Sequence, residues 1–471
     1  MKKNKTNVGW KGKSFFESVP HAVTMIFSII VFVTLLTYIL PAGTYDRVEL
    51  NGRSTVVSNS YKPISSSPVS LLEMFMAIPL GFKAAVEIIF IVLAGGIMFR
   101  FMEKSNAVEN GIGTLIKRLG RERKYLIVVI MTFIYGLLGV AVGYENNIAM
   151  IPIAAVLSLA LGGDLILAAG ISVGAMTIGF GLSPINPYTV GTGHKLAQLP
   201  MFSGAFLRSI LCFLGLSVMA LHNVRYFRKI LSSPSKSMAT GLDTKNLSLS
   251  KPINEYSLST KNWSVLGIFV LGMLVILYGV FYLNWHIVEL SAIFLMIALG
   301  CGLVSNMDAT TISNTVLEAV SQASPGAFMV GFATTIKVLM EMGNIGDTIS
   351  YQLANMLEGL PLYLSAIGMS ISQSVINFFI PSGSGQAVAT LPVMLPLGES
   401  LGLSRQITIL AFQIGDGLTN LVNPTLGGLI AMLSMSRVPI DRWVRFILPV
   451  LLILLAIAFF ILVVAINTNY S

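Results

Sequence analysis

The sequence predicts an all-α polytopic membrane protein, and two observations carry that prediction. The chain is 54% hydrophobic and only 11% charged, with a mean hydropathy of +0.79, whereas soluble domains contain about 25% charged residues. Apolar runs of about 20 residues, the length that crosses a bilayer, recur along the whole chain. These features argue against a soluble two-domain protein and make the lipid bilayer an expected partner.

The basic residues indicate how the spans are oriented. The net charge is +9, and most of the 30 Lys and Arg residues lie beside apolar runs, at residues 2–13, 100–124, 225–261 and 437–445. Because Lys and Arg concentrate at cytoplasmic span ends, we expect a cytoplasmic N-terminus and an external C-terminus in the inner (cytoplasmic) membrane. No stripe of aromatic and basic residues indicates nucleic acid. Both cysteines lie within apolar runs, which does not favour a disulfide.

The order of spans and polar segments divides the chain into five parts. We expect residues 308–320 to form an interfacial helix, residues 325–342 a separate span, and the linker between the halves to be poorly ordered. The predicted parts are a cytoplasmic tail, first span and external loop (1–70), repeat 1 (71–227) with a hairpin (125–161) and a broken helix (165–200), a cytoplasmic linker (228–262), two scaffold spans (263–307), and repeat 2 (308–471) with a hairpin (360–399), a broken helix (405–436) and a last span (446–466).

Two of the apolar runs are interrupted by prolines. Pro184 and Pro187 lie within residues 181–192, and each proline removes a backbone donor and clashes with the carbonyl four residues earlier. The second half contains a matching Asn423-Pro424 pair within residues 419–428. In lipid, such breaks are tolerated only where they are buried in protein or line a cavity. Both breaks therefore predict a buried site.

An internal repeat relates the two breaks. No Lys or Arg lies between Lys337 and Arg405, so the second hairpin is expected to enter from outside, whereas the first enters from inside. Inverted repeats with interrupted helices are typical of secondary transporters that bind substrate at mid-membrane. The matching segments, all at nearly the same spacing, are residues 101–106 with 339–344, Pro152 with Pro392, and Asn186-Pro187 with Asn423-Pro424.

The helix ends at the hairpin tips and breaks have the chemistry of a binding site. Free amino ends suit a carboxylate, because they offer unpaired N–H donors and partial positive charge. Unwound carbonyls with Asn and Ser side chains suit a coupling ion, Na⁺ or H⁺, and no other cofactor is expected. The residues predicted to bind substrate are Glu145, Asn146, Asn147, Ser183, Asn186, Pro187, Ser382, Gly383, Ser384, Gln386, Asp416, Asn423, Pro424 and Thr425. The predicted sodium ligands are Asn147, Ser183, Asn186, Ser384, Asn420 and Asn423.

Two acidic residues in this set carry the strongest functional signal. Glu145 lies at the first hairpin tip and Asp416 just before the second break, and ionisable groups inside a membrane are costly and commonly functional. Each could take a coupling proton, ligate a cation or hold a substrate ammonium group, or be a hydrogen-bonded structural carboxyl. Glu87 and Lys83 lie near a span end and are interpreted as structural.

These motifs resemble the YfcC group of the four-carbon dicarboxylate anaerobic carrier-like family, within the ion-transporter superfamily that also holds the divalent-anion sodium symporters. The similarity covers essentially the whole chain and rests on residues 143–147, 183–187, 382–386 and 423–425. It implies a homodimer in which a transport domain moves like an elevator against a scaffold domain. The Ser-Asn-Thr tips of the sodium-dicarboxylate branch are absent, so the sites of that branch do not transfer to this chain.

The expected function is secondary active transport of a small amino acid or amino-carboxylate, because two acidic residues would repel a doubly charged anion. Relatives in the family are associated with dicarboxylates and with amino acids, including arginine and ornithine exchange. Ion-coupled transport of a dicarboxylate or another small organic anion is the alternative, and a channel is the second alternative. No catalytic triad, His-Glu-x-x-His motif or phosphate-binding loop indicates an enzyme.

Overall fold

The computed structural model describes residues 22–50, 53–57, 59–142, 145–247, 249–283, 285–357 and 359–470, most of which are helical. The helices of the first half are α1 (Ala22–Ile39), α2 (Leu71–Ala84), α3 (Val86–Lys104), α4 (Ala107–Leu119), α5 (Lys124–Val142), α6 (Ile151–Ala160), α7 (Leu165–Ala169), α8 (Ala175–Gly181), α9 (Thr192–Leu196) and α10 (Ala205–Ser232). Those of the second half are α11 (Thr260–Tyr282), α12 (Ile287–Val304), α13 (Ala309–Met342), α14 (Gly346–Asn355), α15 (Leu362–Phe379), α16 (Gly383–Ser400), α17 (Arg405–Thr419), α18 (Gly427–Met435) and α19 (Ile440–Asn467).

The lengths of these helices confirm a polytopic membrane protein. Within the described residues, six helices are long and apolar enough to cross a membrane, or seven if the bent pair α2–α3 is counted as one span. The apolar segments of the first hairpin and the first broken helix are shorter than these spans. Such segments cross a bilayer fully only in combination, since a span needs about 20 residues.

Residues 43–63 form two small strand pairs that the sequence did not predict. Arg47 fastens this loop to α14, because its Nη2 donates to both carboxylate oxygens of Asp347 at 2.8 Å. The antiparallel pairs are β1 (Gly43–Thr44) with β4 (Lys62–Pro63), and β2 (Arg47–Leu50) with β3 (Arg53–Val56). The loop therefore rests on the second half of the chain.

Helix α13 is continuous, and the expected division into an interfacial helix (308–320) and a separate span (325–342) is wrong. Pro325 lies inside the helix, where it cannot donate to the carbonyl of Ser321. The hydroxyl of Ser324 donates to the carbonyl of Val320 at 2.6 Å and lies only within 3.3 Å of that of Ser321. Packing supports the helix on either side of the proline, since Ala323 lies against Gly96 of α3 and Gly326 against Ser434 of α18.

The linker between the halves is packed against the helices, and the expectation that it is poorly ordered is wrong. Arg442 of α19 donates through Nη1 to the carbonyls of Met238 and Thr240, at 3.0 and 2.7 Å. Lys117 of α4 donates to the carbonyl of Asn254 at 2.8 Å. Because loop carbonyls need partners, these cations fix the course of the linker.

Both predicted helix breaks are present. Helix α8 ends at Gly181, and the chain becomes helical again in a π turn, Pro187–Gly191, that leads into α9. We call residues 182–186 the first break. Helix α17 ends at Thr419 and α18 begins at Gly427, and we call residues 420–426 the second break.

Helices α15 and α16 with the tip between them form hairpin 2. Its tip is shorter than predicted, because α16 already begins at Gly383 and only residues 380–382 are non-helical. Ser382 caps α16, since its hydroxyl accepts a hydrogen bond from the amide of Gly385. The predicted tip residues Ser384 and Gln386 therefore lie in the first turn of a helix.

Candidate substrate site

The second break is held by amide and hydroxyl side chains. Asn423 accepts hydrogen bonds at Oδ1 from the amide and hydroxyl of Thr425, at 3.0 and 2.7 Å. Its Nδ2 donates to the carbonyl of Asn377 at the end of α15, and the Thr425 hydroxyl donates to the carbonyl of Phe378. The break is thus fastened to the first arm of hairpin 2.

Asn377 is the centre of this network. Its side chain is fully buried, and its Nδ2 lies within 2.9 Å of the Asp416 carbonyl, the Thr419 hydroxyl and Oδ1 of Asn420. These three acceptors surround the carboxyl end of α17, where helix carbonyls lack intrahelical partners. Asn377 therefore caps α17 from the neighbouring helix.

The first break is stabilised in a similar way. Asn186 accepts from the amides of Tyr188 and Thr189 at Oδ1, and so caps the π turn that follows the break. Ser183 Oγ donates to the carbonyl of Val140, and Asn147 Nδ2 donates to that of Leu138, both near the end of α5. Of the predicted sodium ligands, Asn147 and Ser183 thus bond to the end of α5, whereas Asn420 and Asn423 bond to Asn377 of α15.

The helices that precede the two breaks lie against each other through glycines. A Cβ placed on Gly417 would lie 2.4 Å from Cα of Gly181, and one placed on Gly181 would lie 2.6 Å from the Gly417 carbonyl oxygen. Real Cβ atoms do not approach backbone so closely, so only glycine fits at either position. This backbone contact joins the end of α8 to α17 beside Asp416.

A cavity of about 370 Å³ opens beside the tip of hairpin 2. The amino ends of α16 and α18 both face it, and α18 has no side-chain cap. Amides at uncapped helix starts remain available to an anion. Its lining includes Glu87 and Ile88 of α3, Phe180, Tyr188, Thr334 and Lys337, the tip residues Ser382, Gly383 and Ser384, and Thr425, Leu426 and Gly427.

The cavity therefore has groups for both signs of charge. Two helix amino ends and the Lys337 ammonium suit a carboxylate, whereas the Glu87 carboxylate suits a cation. The Nζ atom of Lys337 also lies 3.6 Å from Oε1 of Glu341, but both side chains are largely exposed. A surface pair of this kind is worth little and leaves the ammonium available to a ligand.

Asp416 lies behind the tip and does not line this cavity. It is fully buried in α17, and neither carboxylate oxygen has a hydrogen-bond partner. Its Oδ2 lies 3.4 Å from the position that a Cβ on Gly383 would occupy. An isolated charge is very costly in such surroundings, so the environment favours the neutral acid.

The predicted residues fall into groups with different surroundings. Ser382, Gly383, Ser384 and Thr425 line the cavity. Gln386 points between the hairpin arms, where its Nε2 donates to the side chain and carbonyl of Gln373. The remaining residues hold or shape the breaks and tips: Asn147, Ser183, Asn186, Pro187, Asn420, Asn423 and Pro424. Residues 143–144 and the side chains of Glu145 and Asn146 lie outside the described part of the structure.

Several residues of the region were missed from the sequence. Lys337 was interpreted only as a topology marker and Glu87 as structural, although each lies in or near an apolar run. Arg208, buried in α10, donates from Nε to Gln413 at 3.1 Å and from Nη2 to Gln406 at 3.0 Å. Charge within an apolar run was the signal that could have identified all three.

Comparison with known proteins supplies the family. The family model for the C4-dicarboxylate anaerobic carrier, DcuC, matches residues 19–467. The chain belongs to this carrier family. The match includes both helix breaks, and membership of this family makes the carrier a membrane transporter. Among the described residues, no cluster of His, Cys, Asp and Glu could hold a metal ion in the carrier.

Individual relatives resemble the carrier along most of its length. It is 28% identical to the Escherichia coli K12 protein named "Putative basic amino acid antiporter YfcC", over 91% of this chain and 92% of the relative. It is 24% identical to a Haemophilus influenzae protein, over 97% and 98% of the two chains. Among solved structures, Neisseria gonorrhoeae MtrF aligns with a TM-score of 0.44 at 18% identity, over 94% of this chain and 95% of its own.

Proposed function

We propose that this carrier is a secondary active transporter of small amino acids or amino-carboxylates, with basic amino acids such as arginine and ornithine as the first candidates for exchange. The observation that carries the proposal is the cavity at the hairpin 2 tip, which joins two helix amino ends and Lys337 to Glu87. Its volume of about 370 Å³ falls within the usual range for small-molecule sites. The name of the Escherichia coli relative supports the same substrate class.

The charged groups of the cavity would hold the two ends of the substrate at opposite walls. The α-carboxylate would accept hydrogen bonds from the amides of Gly383, Ser384 and Gly427, close to the Lys337 ammonium. The α-ammonium, or the cationic end of a basic side chain, would face Glu87 of α3. A doubly negative dicarboxylate would leave Glu87 unpaired and repelled, because a carboxylate has no donor to offer it.

The mechanism proposed for the carrier is an elevator. Hairpin 2, the breaks, and helices α17–α19 would move with the substrate, whereas α3 and α13 would belong to the scaffold that presents Glu87 and Lys337. We propose a homodimer in the inner membrane, with the N-terminus inside and the C-terminus outside. The basic clusters described above support this orientation.

Transport by purified carrier in proteoliposomes tests the proposal. Radiolabelled arginine, ornithine, neutral amino acids and C4-dicarboxylates are compared under sodium gradients, proton gradients and exchange conditions. Glu87→Gln is expected to raise KM for the amino acid about 10- to 100-fold, the value of a lost charged hydrogen bond. Glu49→Gln, the same change on the exposed strand β2, is the matched control and should transport normally.

A C4-dicarboxylate is the second candidate, because the matching family model is described by that substrate. Saturable dicarboxylate uptake, unaffected or improved by Glu87→Gln and lost in Lys337→Met, would replace the amino acid proposal. A channel would instead show flux without saturation or counterflow.

A further inference from the structure

Two buried polar side chains that both lie beside Gly383, at the tip of hairpin 2, have no hydrogen-bond partners. Both carboxylate oxygens of Asp416 and the hydroxyl of Thr189, in the π turn after the first break, are unpartnered. Asp416 is 0% and Thr189 1% exposed. A Cβ on Gly383 would lie 2.6 Å from Cγ2 of Thr189 and 3.4 Å from Oδ2 of Asp416. The first residue of α16 thus covers both groups.

The lack of bonds indicates which form of Asp416 this arrangement accepts. An ionised carboxylate beside a helix amino end ordinarily accepts hydrogen bonds from the free amides there. Neither oxygen of Asp416 accepts one, so the tip in this position offers the charged form no compensation for its lost water.

No neighbouring charge compensates Asp416 either. Arg208 bonds to Gln413, one turn before Asp416, and Glu399 pairs with Arg405. Glu87, His286 and Lys337 line the substrate cavity, on the other side of the tip. No salt bridge or hydrogen bond joins the Asp416 carboxyl to a described ionisable group. The ionisable residues on the elements packed most closely against α17 are Tyr188, Tyr363, Glu399, Asp441, Arg442 and Arg445, and Arg208 of α10 reaches α17 through its bonds to Gln406 and Gln413.

We propose that Asp416 is the proton-binding group of the carrier, and that the tip of hairpin 2 closes over it only when it is protonated. This inference rests on the proposed transport function and deepens it by naming the coupling ion. In the closed state the proton is bound to one Asp416 oxygen. When the tip lifts, water enters, the O–H bond breaks, and the proton leaves on water while the carboxylate stays behind, hydrated.

A sodium ion fits this position poorly. Hard cations take several oxygen ligands, and besides the Asp416 carboxyl and the Thr189 hydroxyl the unpartnered buried oxygens of this region are Oδ1 of Asn377 and Oε1 of Gln386. Those two side chains lie at the end of α17 and between the hairpin arms rather than at the tip. The Asp416 main-chain carbonyl is already bonded to Asn377. Gly383 packs so closely on Thr189 that a methyl group would collide there.

The same tip would couple the proton to the substrate. Ser382, Gly383 and Ser384 line the substrate cavity on one side, while Gly383 covers Asp416 on the other. Any movement that releases the proton therefore also changes the substrate site.

Thiol labelling at the tip tests the inference without any substrate. Ser384→Cys is introduced alone and together with Asp416→Asn, which is nearly isosteric and always neutral. The rate of labelling by a membrane-impermeant maleimide is measured from pH 5 to 9 for both proteins. The rate for Ser384→Cys alone is divided by the rate for the double variant, and this ratio cancels the titration of the thiol itself. Ser66→Cys, on the external loop, reports the reagent's own pH dependence. The native cysteines are buried.

The ratio of rates should rise with pH, by up to about tenfold per pH unit, the limit for one proton. A flat ratio would overturn the inference. So would a ratio that responds to replacing sodium by choline at constant pH, which would indicate sodium instead. If Asp416→Asn does not give monodisperse protein, Asp416→Ala takes its place in the double variant. The pH dependence of the ratio and its response to sodium are then interpreted in the same way. Labelling does not depend on substrate, so failure of amino acid transport in proteoliposomes would reject the proposed function separately.

Discussion

Gln413 Nε2 in α17 donates a 2.7 Å hydrogen bond to the carbonyl oxygen of Ser183 in the first break. Its Oε1 accepts from Nε of Arg208 at 3.1 Å, so one buried amide joins a helix of the second half to two elements of the first. Arg208 completes its contacts with Gln406 and the carbonyl of Ser203. The geometry of the first break therefore depends on a side chain more than 200 residues away in the sequence.

Replacing Gln413 by Leu should destabilise the carrier. The substitution leaves the Ser183 carbonyl and the Arg208 Nε without partners, and each unsatisfied buried polar group costs about 1–3 kcal/mol. Thermal unfolding in detergent should show a clearly lower Tm, whereas Gln352→Leu, at an exposed position of α14, should melt like the wild type. Equal Tm values for the two variants would contradict a structural role for this amide.

Gly417→Ala should separate α8 from α17. The added methyl group would lie 2.4 Å from Cα of Gly181, which is backbone and cannot rotate away. Both transport and Tm should fall. Gly267→Ala in α11 is the control, because no atom beyond the neighbouring backbone of its own helix lies within 4 Å of its Cβ position and alanine is the better helix former. A Gly417→Ala carrier with normal activity would show that close contact between α8 and α17 is not required for transport.

The linker contact between Glu109 and Tyr256 should give stability that depends on pH. Burial favours the neutral form of Glu109, but hydrogen bonds from the Tyr256 hydroxyl and from Ser250 outweigh it and lower the pKa of Glu109 below its ordinary value. A carboxyl whose pKa is lower in the folded state adds stability above its unfolded pKa of about 4.3, and this stability is lost as pH falls through the folded pKa.

Tyr256→Phe should therefore lower the Tm at pH 7 and have a smaller effect at pH 3, because the stability that Glu109 gains from its lowered folded pKa declines as the pH falls below its unfolded pKa. The control is Tyr282→Phe at the exposed end of α11, which should have no effect at either pH. The prediction fails if the loss caused by Tyr256→Phe is the same at both pH values.

The proposed orientation can be tested with two matched serine-to-cysteine changes. Ser66 lies on the loop that contains the strand pairs, Ser235 lies on the linker, and both are exposed. In intact cells an impermeant thiol reagent should label Ser66→Cys but reach Ser235→Cys only after the membrane is opened. Labelling of Ser235→Cys in intact cells would reverse the orientation.

Much of the fold could be predicted because its signals are local. Apolar length identifies spans in lipid, and Asn186-Pro187 and Asn423-Pro424 interrupt helices through the covalent structure of proline. The continuity of α13 was not predictable in the same way, because around Pro325 the helix packs against residues distant in sequence, Ala323 against Gly96 and Gly326 against Ser434. The packed linker was missed because its stability comes from Arg442 and Lys117, which are distant in sequence.

The sequence by itself determined that this protein crosses a membrane, where two of its helices break, and which polar residues lie at those breaks. The tertiary structure decided how those residues are used. It places Ser382 and Thr425 on a cavity, turns Gln386 between two helices, and brings Glu87 and Lys337 to the same cavity. The physical reason is that hydrophobic length and proline chemistry are properties of neighbouring residues, whereas a cavity and its charges arise only when distant helices pack together.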